Sequence, residues 1–244
     1  MKRNSFLLLG CLLVFGCVPT KDEFKNRSVE SVYKKANDLL KKKEYKEAAS
    51  EFKDLETLFP YSSRANEGQV LSAYCHFLAS EYMSALREIG IFLRYHPSHE
   101  LVPYVLYLKA MCKYMQVVSV GRDQKTALDA KYVFIELTNR FPESKYYNDA
   151  MKRIMILDDI IAAHEMAIGR YYQKNKNALA ALGRYAFVAD RLMHTRYAKE
   201  AMFRIVECCR FLGLGKEAEN AQRSLEAAFP DSPWTKKSAL LMKK

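Results

Sequence analysis

The chain is short of the residues that interrupt helices. Its 244 positions hold only 9 Gly and 7 Pro, which argues against a loop-rich protein or one of many tight turns. No segment sustains the alternation of apolar and polar residues that marks a half-buried strand, so no sheet is expected. No apolar run reaches the roughly 20 residues that a membrane-spanning helix requires. The 6 cysteines form no CxxC pair, and GxGxxG and P-loop patterns are absent. "HEMAI", residues 164–168, starts like a zinc-protease HExxH but carries Ile168 at the second ligand position. His96 and His99 in "HPSH" leave a metal set incomplete, and Asp158-Asp159 reads as the polar surface of a helix. With no catalytic constellation, the expectation is a non-enzymatic protein without metal or cofactor chemistry.

What remains is helix-forming and basic. Half the residues are hydrophobic, enough for a sizeable core, and Ala, Leu, Lys, Glu and Met dominate. The formal charge is +11, which favours acidic partners such as anionic lipid, nucleic acid or an acidic protein. Cys75 and Cys112 fall in apolar helical patterns and read as small core residues. Cys208 and Cys209 are adjacent, which disfavours their pairing with each other.

The front end sets the compartment. Met1-Lys2-Arg3 precedes an apolar run from Phe6 to Phe15, then Gly16 and Cys17: a positive n-region, a short h-region and a small residue before the cut, as in a secretory signal. Val14-Phe15-Gly16-Cys17 resembles the bacterial lipoprotein box, although Leu is usual at position 14 and Phe15 is bulky. Leu8-Leu9-Gly10-Cys11 is the alternative, with too short an h-region before it. The resemblance implies a signal peptide over 1–16, N-acyl and S-diacylglycerol lipid on Cys17, and a linker over 17–28. No Asp follows Cys17, which in that class implies delivery to the outer membrane. A secreted address disfavours nucleic acid as a partner.

Prolines expose an internal repeat. "ETLFP", "LRYHP", "TNRFP" and "EAAFP" end at Pro60, Pro97, Pro142 and Pro230, at intervals of 37, 45 and 88. The last interval hides a repeat whose proline position is Met193. Counting back from each proline position gives Ala48, Phe52, Leu55; Ala85, Ile89, Phe92; Ala130, Phe134, Leu137; Ala181, Tyr185, Val188; and Ala218, Gln222, Leu225. Offsets of four and three share one helical face, and the proline ends the helix. Upstream of each lies another helical segment: "SVYKKANDLL", "QVLSAYCHFL", "VLYLKAMCKYM", "AAHEMAIGRYY" and "EAMFRIVECCRFL". This resembles the tetratricopeptide repeat. The expected fold is all-α, a solenoid of five helix-turn-helix repeats, with repeats 1–3 over 29–145, repeats 4–5 over 146–235 and a basic tail over 236–244.

The resemblance narrows further. "FPYSSRANEGQVLSAYCHF", "FLRYHPSHELVPYVLYLKA" and "RFPESKYYNDAMKRIMILDDIIAAHEMAIGRYY" are similar to segments of the BamD (ComL) family, lipoproteins of the outer-membrane β-barrel assembly machine. Asp149, Ala150, Arg153, Leu157, Glu165, Tyr171 and Tyr172 match in register. Glu100, Pro103, Gly121-Arg122-Asp123 and Gly183-Arg184 depart from the family pattern. The resemblance implies that the N-terminal repeats receive the targeting segments of unfolded outer-membrane proteins in a groove involving Tyr61, Tyr74 and Tyr104. It implies that the C-terminal repeats dock the barrel-forming subunit BamA through Arg184, Glu165, Arg122 and Asp123, beside other subunits of the machine. The lipid on Cys17 places the chain on the periplasmic face of the outer membrane, against its inner leaflet. Other repeat lipoproteins serve secretin or pilus assembly as pilotins, or coordinate wall synthesis with division, and those readings stay open at this point.

Overall fold

The computed structural model describes residues 27–117 and 124–243. Among them lie eleven helices and no strand. They pair in chain order as α1 (Val29–Lys41) with α2 (Tyr45–Leu58), α3 (Ala65–Leu78) with α4 (Tyr82–Tyr95), α5 (Val102–Tyr114) with α6 (Lys125–Arg140), α7 (Tyr147–Lys174) with α8 (Ala178–Arg191), and α9 (Ala198–Phe211) with α10 (Gly215–Ala228); α11 (Pro233–Met242) follows. Each helix packs mainly on its chain neighbours, and α11 closes the stack against α9 and α10. The protein is a tetratricopeptide-type α-solenoid of five helix-turn-helix repeats.

The repeated triplets form the core. Ala48, Ala85, Ala130, Ala181 and Ala218 are all fully buried, and Phe52, Ile89, Phe92, Phe134, Leu137, Tyr185, Val188 and Leu225 are buried with them. The alanines let the paired helices approach, and each large side chain taken out of water contributes about 1.5–3 kcal/mol. Gln222 is the exception: it stays at the surface and donates to Glu226 Oε1 at 2.8 Å. At this last repeat only the short α11 lies beyond, so the big-residue position is no longer covered on both sides. Two glycines allow backbone approach. A Cβ on Gly68 would sit 2.8 Å from both Leu55 Cβ and the Phe52 carbonyl oxygen, and one on Gly169 would sit 2.5 Å from the Tyr185 ring.

Both kinds of connection recur. Between repeats the chain makes a turn in which the N–H of Ser62, His99, Ser144, Thr195 and Ser232 donates back to the carbonyl of Phe59, His96, Phe141, Leu192 and Phe229. Proline suits the second position of such a turn. Repeat four makes the same turn around Met193, with Thr195 N to Leu192 O at 3.0 Å, so the turn outlives its proline. Within repeats, Lys43, Ser80, Lys176 and Gly213 all have φ between 60° and 73°. Each ends its helix with the pair of bonds of a Schellman cap, for example Gly213 N to Arg210 O and Leu214 N to Cys209 O. Only one of the four is the glycine that this geometry favours.

Three features differ from the sequence expectation. α7 is 28 residues long, so the helix expected over "AAHEMAIGRYY" begins at Tyr147, in one piece with the segment before it. Asp158 is not a surface residue: it is 3% exposed and takes Lys131 Nζ of α6 at 2.5 Å and His194 Nε2 of the α8–α9 loop at 2.9 Å. The long helix carries Asp158 beneath both neighbouring elements, where a carboxylate is tolerated because it is paired. Residues 236–242, expected as part of a basic tail, lie within α11, where Thr235 and Ser238 are buried. Ser232 caps that helix and Pro233 occupies its first turn. Cys75, Cys112, Cys208 and Cys209 are buried free thiols. Burial pushes Cys75 and Cys112 up to about 12 and Cys208 to about 11, so they behave as apolar core groups.

Candidate functional site: two inner faces of the repeat stack

The first helices of successive repeats line one side of such a stack, the surface that solenoids use for binding. Along α3, α5 and α7 that side is aromatic. Tyr74 and Tyr104 have ring centroids 6.5 Å apart, Tyr104 and Tyr146 5.6 Å, and Tyr107 and Tyr146 are stacked at 4.9 Å. Pairs of this geometry contribute about 0.5–1.5 kcal/mol beyond area burial. All four rings are half-buried. Burial raises the phenol of Tyr104, and the other tyrosines around it add to the effect. The Tyr104 ring therefore presents a neutral edge and hydroxyl.

The aromatic row ends in a polar anchor. Tyr107 Oη donates to Asp149 Oδ2 at 2.8 Å, and Arg153 Nε donates to the same oxygen at 2.7 Å. Burial alone would raise Asp149, but the bonds from Arg153 and Tyr107 outweigh it and hold the carboxyl below its ordinary value. The Arg153 guanidinium also lies 4.9 Å over the Tyr114 ring. Asp149 and Arg153 sit one turn apart on α7, so one helix face carries both the anion and the cation.

Further along, the inner side changes character. Arg170 of α7 reaches Glu200 of α9 at 2.9 Å, Arg204 takes Glu200 at 3.4 Å and Glu207 at 2.7 Å, and Gln173 donates to Glu207 at 3.2 Å. Gln173 also accepts from the hydroxyl of buried Tyr185 at 2.8 Å. This side is a ladder of charges between α7 and α9, anchored to the core through one phenol. On the flank, Arg184 of α8 pairs with Glu165 of α7 at 3.1 Å, with the arginine 43% exposed and the glutamate 16%. Arg184 is thus held in place while keeping donor groups free for a partner.

The structure therefore brings Tyr74 and Tyr104 together, and Arg184 with Glu165. It leaves Tyr61 apart: that ring is fully exposed on the α2–α3 turn and makes no ring contact with another described residue. Cys17, Arg122 and Asp123 lie outside the described residues. Tyr107 and Tyr146 belong to the aromatic row but were not singled out from the sequence. A signal for Tyr146 was available. It stands four residues past a repeat proline, as Arg64 and Trp234 do, and those too lie over a ring of the preceding first helix: Arg64 4.0 Å from the centre of Tyr33, Trp234 5.3 Å from Phe203.

An all-helical repeat stack with one aromatic and one ionic inner face defines a tetratricopeptide-repeat scaffold. The chain belongs to the outer membrane lipoprotein family YfiO, whose family model matches residues 25–225. It is 34% identical over 234 residues to the outer membrane protein assembly factor BamD of Rickettsia prowazekii, covering 96% of this chain and 93% of the relative. The BamD of Caulobacter vibrioides is 34% identical over 211 residues, 86% of this chain and 69% of its own, and that of Neisseria meningitidis 34% over 217, 85% and 81%. Among solved structures, the apo form of the quorum sensor NprR from B. thuringiensis overlaps 91% of this chain and 72% of its own at 13% identity, with a TM-score of 0.30.

Proposed function

We propose that this chain is a non-enzymatic scaffold for outer-membrane protein assembly. It is held by lipid on Cys17 to the periplasmic face of the outer membrane, against the inner leaflet. Membership of the outer membrane lipoprotein family and relatives named as assembly factors support this placement. The aromatic row of Tyr74, Tyr104, Tyr107 and Tyr146 binds the targeting segment of an unfolded outer-membrane protein. It offers apolar faces to alternate side chains and hydroxyls to the backbone of an extended peptide. The C-terminal repeats dock BamA through Arg184, whose planar fork suits a carboxylate on the partner. Holding a substrate segment and its acceptor on one rigid stack raises their effective concentration.

The observation that carries this reading is the continuous tyrosine row across three repeats, with Arg184 presented on the flank of the fourth. The test is a mild-detergent pull-down from membranes with a C-terminally tagged chain, comparing wild type, Cys17→Ala and Arg184→Ala. The expected result is BamA with wild type, a reduced yield with Arg184→Ala, and loss of Cys17→Ala from the membrane fraction. Recovery of a secretin or of wall synthases with no barrel subunit would sink the proposal.

A further inference from the structure

The positive charge is unevenly placed. Lys and Arg exceed Asp and Glu by two over residues 27–117 and by six over 124–243. In the C-terminal part Arg170 and Arg204 of the inner face and Arg184 of the flank are spoken for, since each has a carboxylate. The turns at one end are different. Lys174, Lys176, Arg210 and Lys216 have no acidic partner among the described residues.

Two of these cations, Lys176 and Arg210, line a cleft of about 400 Å³ where the α7–α8 turn, the end of α9 and the end of α11 meet, together with Ala178, Cys208, Phe211, Leu241, Gln173 and Glu207. Glu207, the one acid there, is taken by Arg204 and Gln173. Apolar side chains are exposed at its rim: Phe211, which lines it, is 65% exposed, and Leu179 and Leu240, next in sequence to the lining residues Ala178 and Leu241, are 70% and 65% exposed. Leu212 and Leu214 of the adjacent turn are exposed as well.

We propose that this tip docks on an anionic phospholipid bilayer. Lys176 and Arg210 hold the phosphate of a headgroup in the cleft, while Leu179, Phe211, Leu214 and Leu240 enter the interface. Exposed leucines and a phenylalanine flanked by long cationic side chains are the composition of an interfacial anchor. Unpaired basic residues at an anionic surface supply the attraction. A bilayer is the occupant the observations favour over a protein, because the chain belongs to an outer membrane lipoprotein family and an apolar rim spread over two turns and a helix end fits a surface. The solenoid is then tethered at two points, by its N-terminal lipid and by its C-terminal tip, and lies along the membrane.

The inference rests on the anchorage proposed above, so the test separates the two. The chain has one tryptophan, Trp234, and the variant Trp234→Phe/Leu240→Trp moves the fluorophore to the rim. The full acylated chain is reconstituted in vesicles of brominated phosphatidylglycerol with phosphatidylethanolamine, or of brominated phosphatidylcholine alone. Quenching of the rim tryptophan is expected in the anionic vesicles only, and is lost at about 1 M salt, where the Debye length is ~3 Å. Adding Lys176→Gln/Arg210→Gln weakens tip docking about thirtyfold and removes the quenching while leaving the helical melt unchanged. A chain that stays on the vesicles unquenched overturns the inference and leaves the anchor standing; a chain that never joins them points to the anchor itself. Equal quenching in phosphatidylcholine overturns headgroup recognition. An unquenched tip whose neutralised form instead loses a co-purifying protein assigns the surface to that protein and overturns the lipid reading.

Discussion

The inner side of repeats two to four and that of repeats four to five are built on the same scaffold and hold together differently. Along α3, α5 and α7 the helices meet through tyrosine rings, with one carboxylate at the end of the row. Between α7 and α9 they meet through arginine and glutamate. The fold tolerates either because its stability resides elsewhere, in the alanine, large-residue and aliphatic triplets that face the paired helix. Inner-face positions are thereby released to specify what is bound. Aromatic contacts depend little on ionic strength and exposed ion pairs depend on it strongly, so the two faces should respond differently to salt.

The largest effect is expected where the ionic face is fastened to the core. Gly169→Ala places a Cβ against the Tyr185 ring, and overpacking of this kind costs about 1–3 kcal/mol. It should lower the thermal midpoint and loosen the hydroxyl of Tyr185 from Gln173. Gly183→Ala, on α8 with open space around it, should instead be neutral or stabilising by up to ~1 kcal/mol. Equal melting of the two variants would show that Tyr185 is not the rigid support described.

On the aromatic face, Tyr104→Ala and Tyr146→Ala should each weaken binding of a synthetic targeting peptide by about tenfold. The loss should be nearly the same at low and high salt, by fluorescence anisotropy. Tyr61→Ala should leave affinity unchanged, since that ring lies outside the row. Arg170→Ala should leave peptide affinity unchanged too, and a salt-sensitive loss with it would move the site to the ionic face.

Acid separates the faces more gently. Asp149 titrates below its ordinary value in the folded chain, so its contribution is complete above the unfolded value near 3.9 and disappears as pH falls through the lower folded one. Asp149→Asn should therefore lose stability at neutral pH and converge with wild type in thermal melts as the pH falls below the ordinary carboxylate range. The smallest change concerns the turn that lacks its proline. Met193 stands at the proline position, and its backbone N–H donates to no backbone carbonyl. Met193→Pro should stabilise by about 0.4–1 kcal/mol, read as a rise of a few degrees at most.

Much of this was legible in the sequence because it depends on local rules. The proline intervals and the triplets before them locate the second helix of every repeat, since periodicity and backbone restriction act over a few residues. Even the repeat without proline was visible, from Ala181, Tyr185 and Val188. Arg184 and Glu165 were named through family resemblance, and Tyr74 and Tyr104 through their place on or beside a first helix; that each pair is in contact came from the structure. The row itself was half seen. Tyr61 looks like Tyr104 in sequence, both being tyrosines near a repeat loop, yet one sits in a turn facing water and the other on a helix facing its neighbour.

The sequence by itself determined the helical class, the repeat register, the burial of its alanines and the apolar character of its cysteines, because each follows from side-chain chemistry and a period of 3.6. Only the tertiary structure decided that α7 runs unbroken for 28 residues. It also decided that Asp158 lies beneath Lys131 and His194, that Tyr107 and Tyr146 complete an aromatic row, and that Lys176 and Arg210 line one cleft with Phe211 and Leu241. Those outcomes depend on how separate repeats are stacked. Residues 27 or more positions apart become neighbours there through a rotation per repeat that no local pattern encodes.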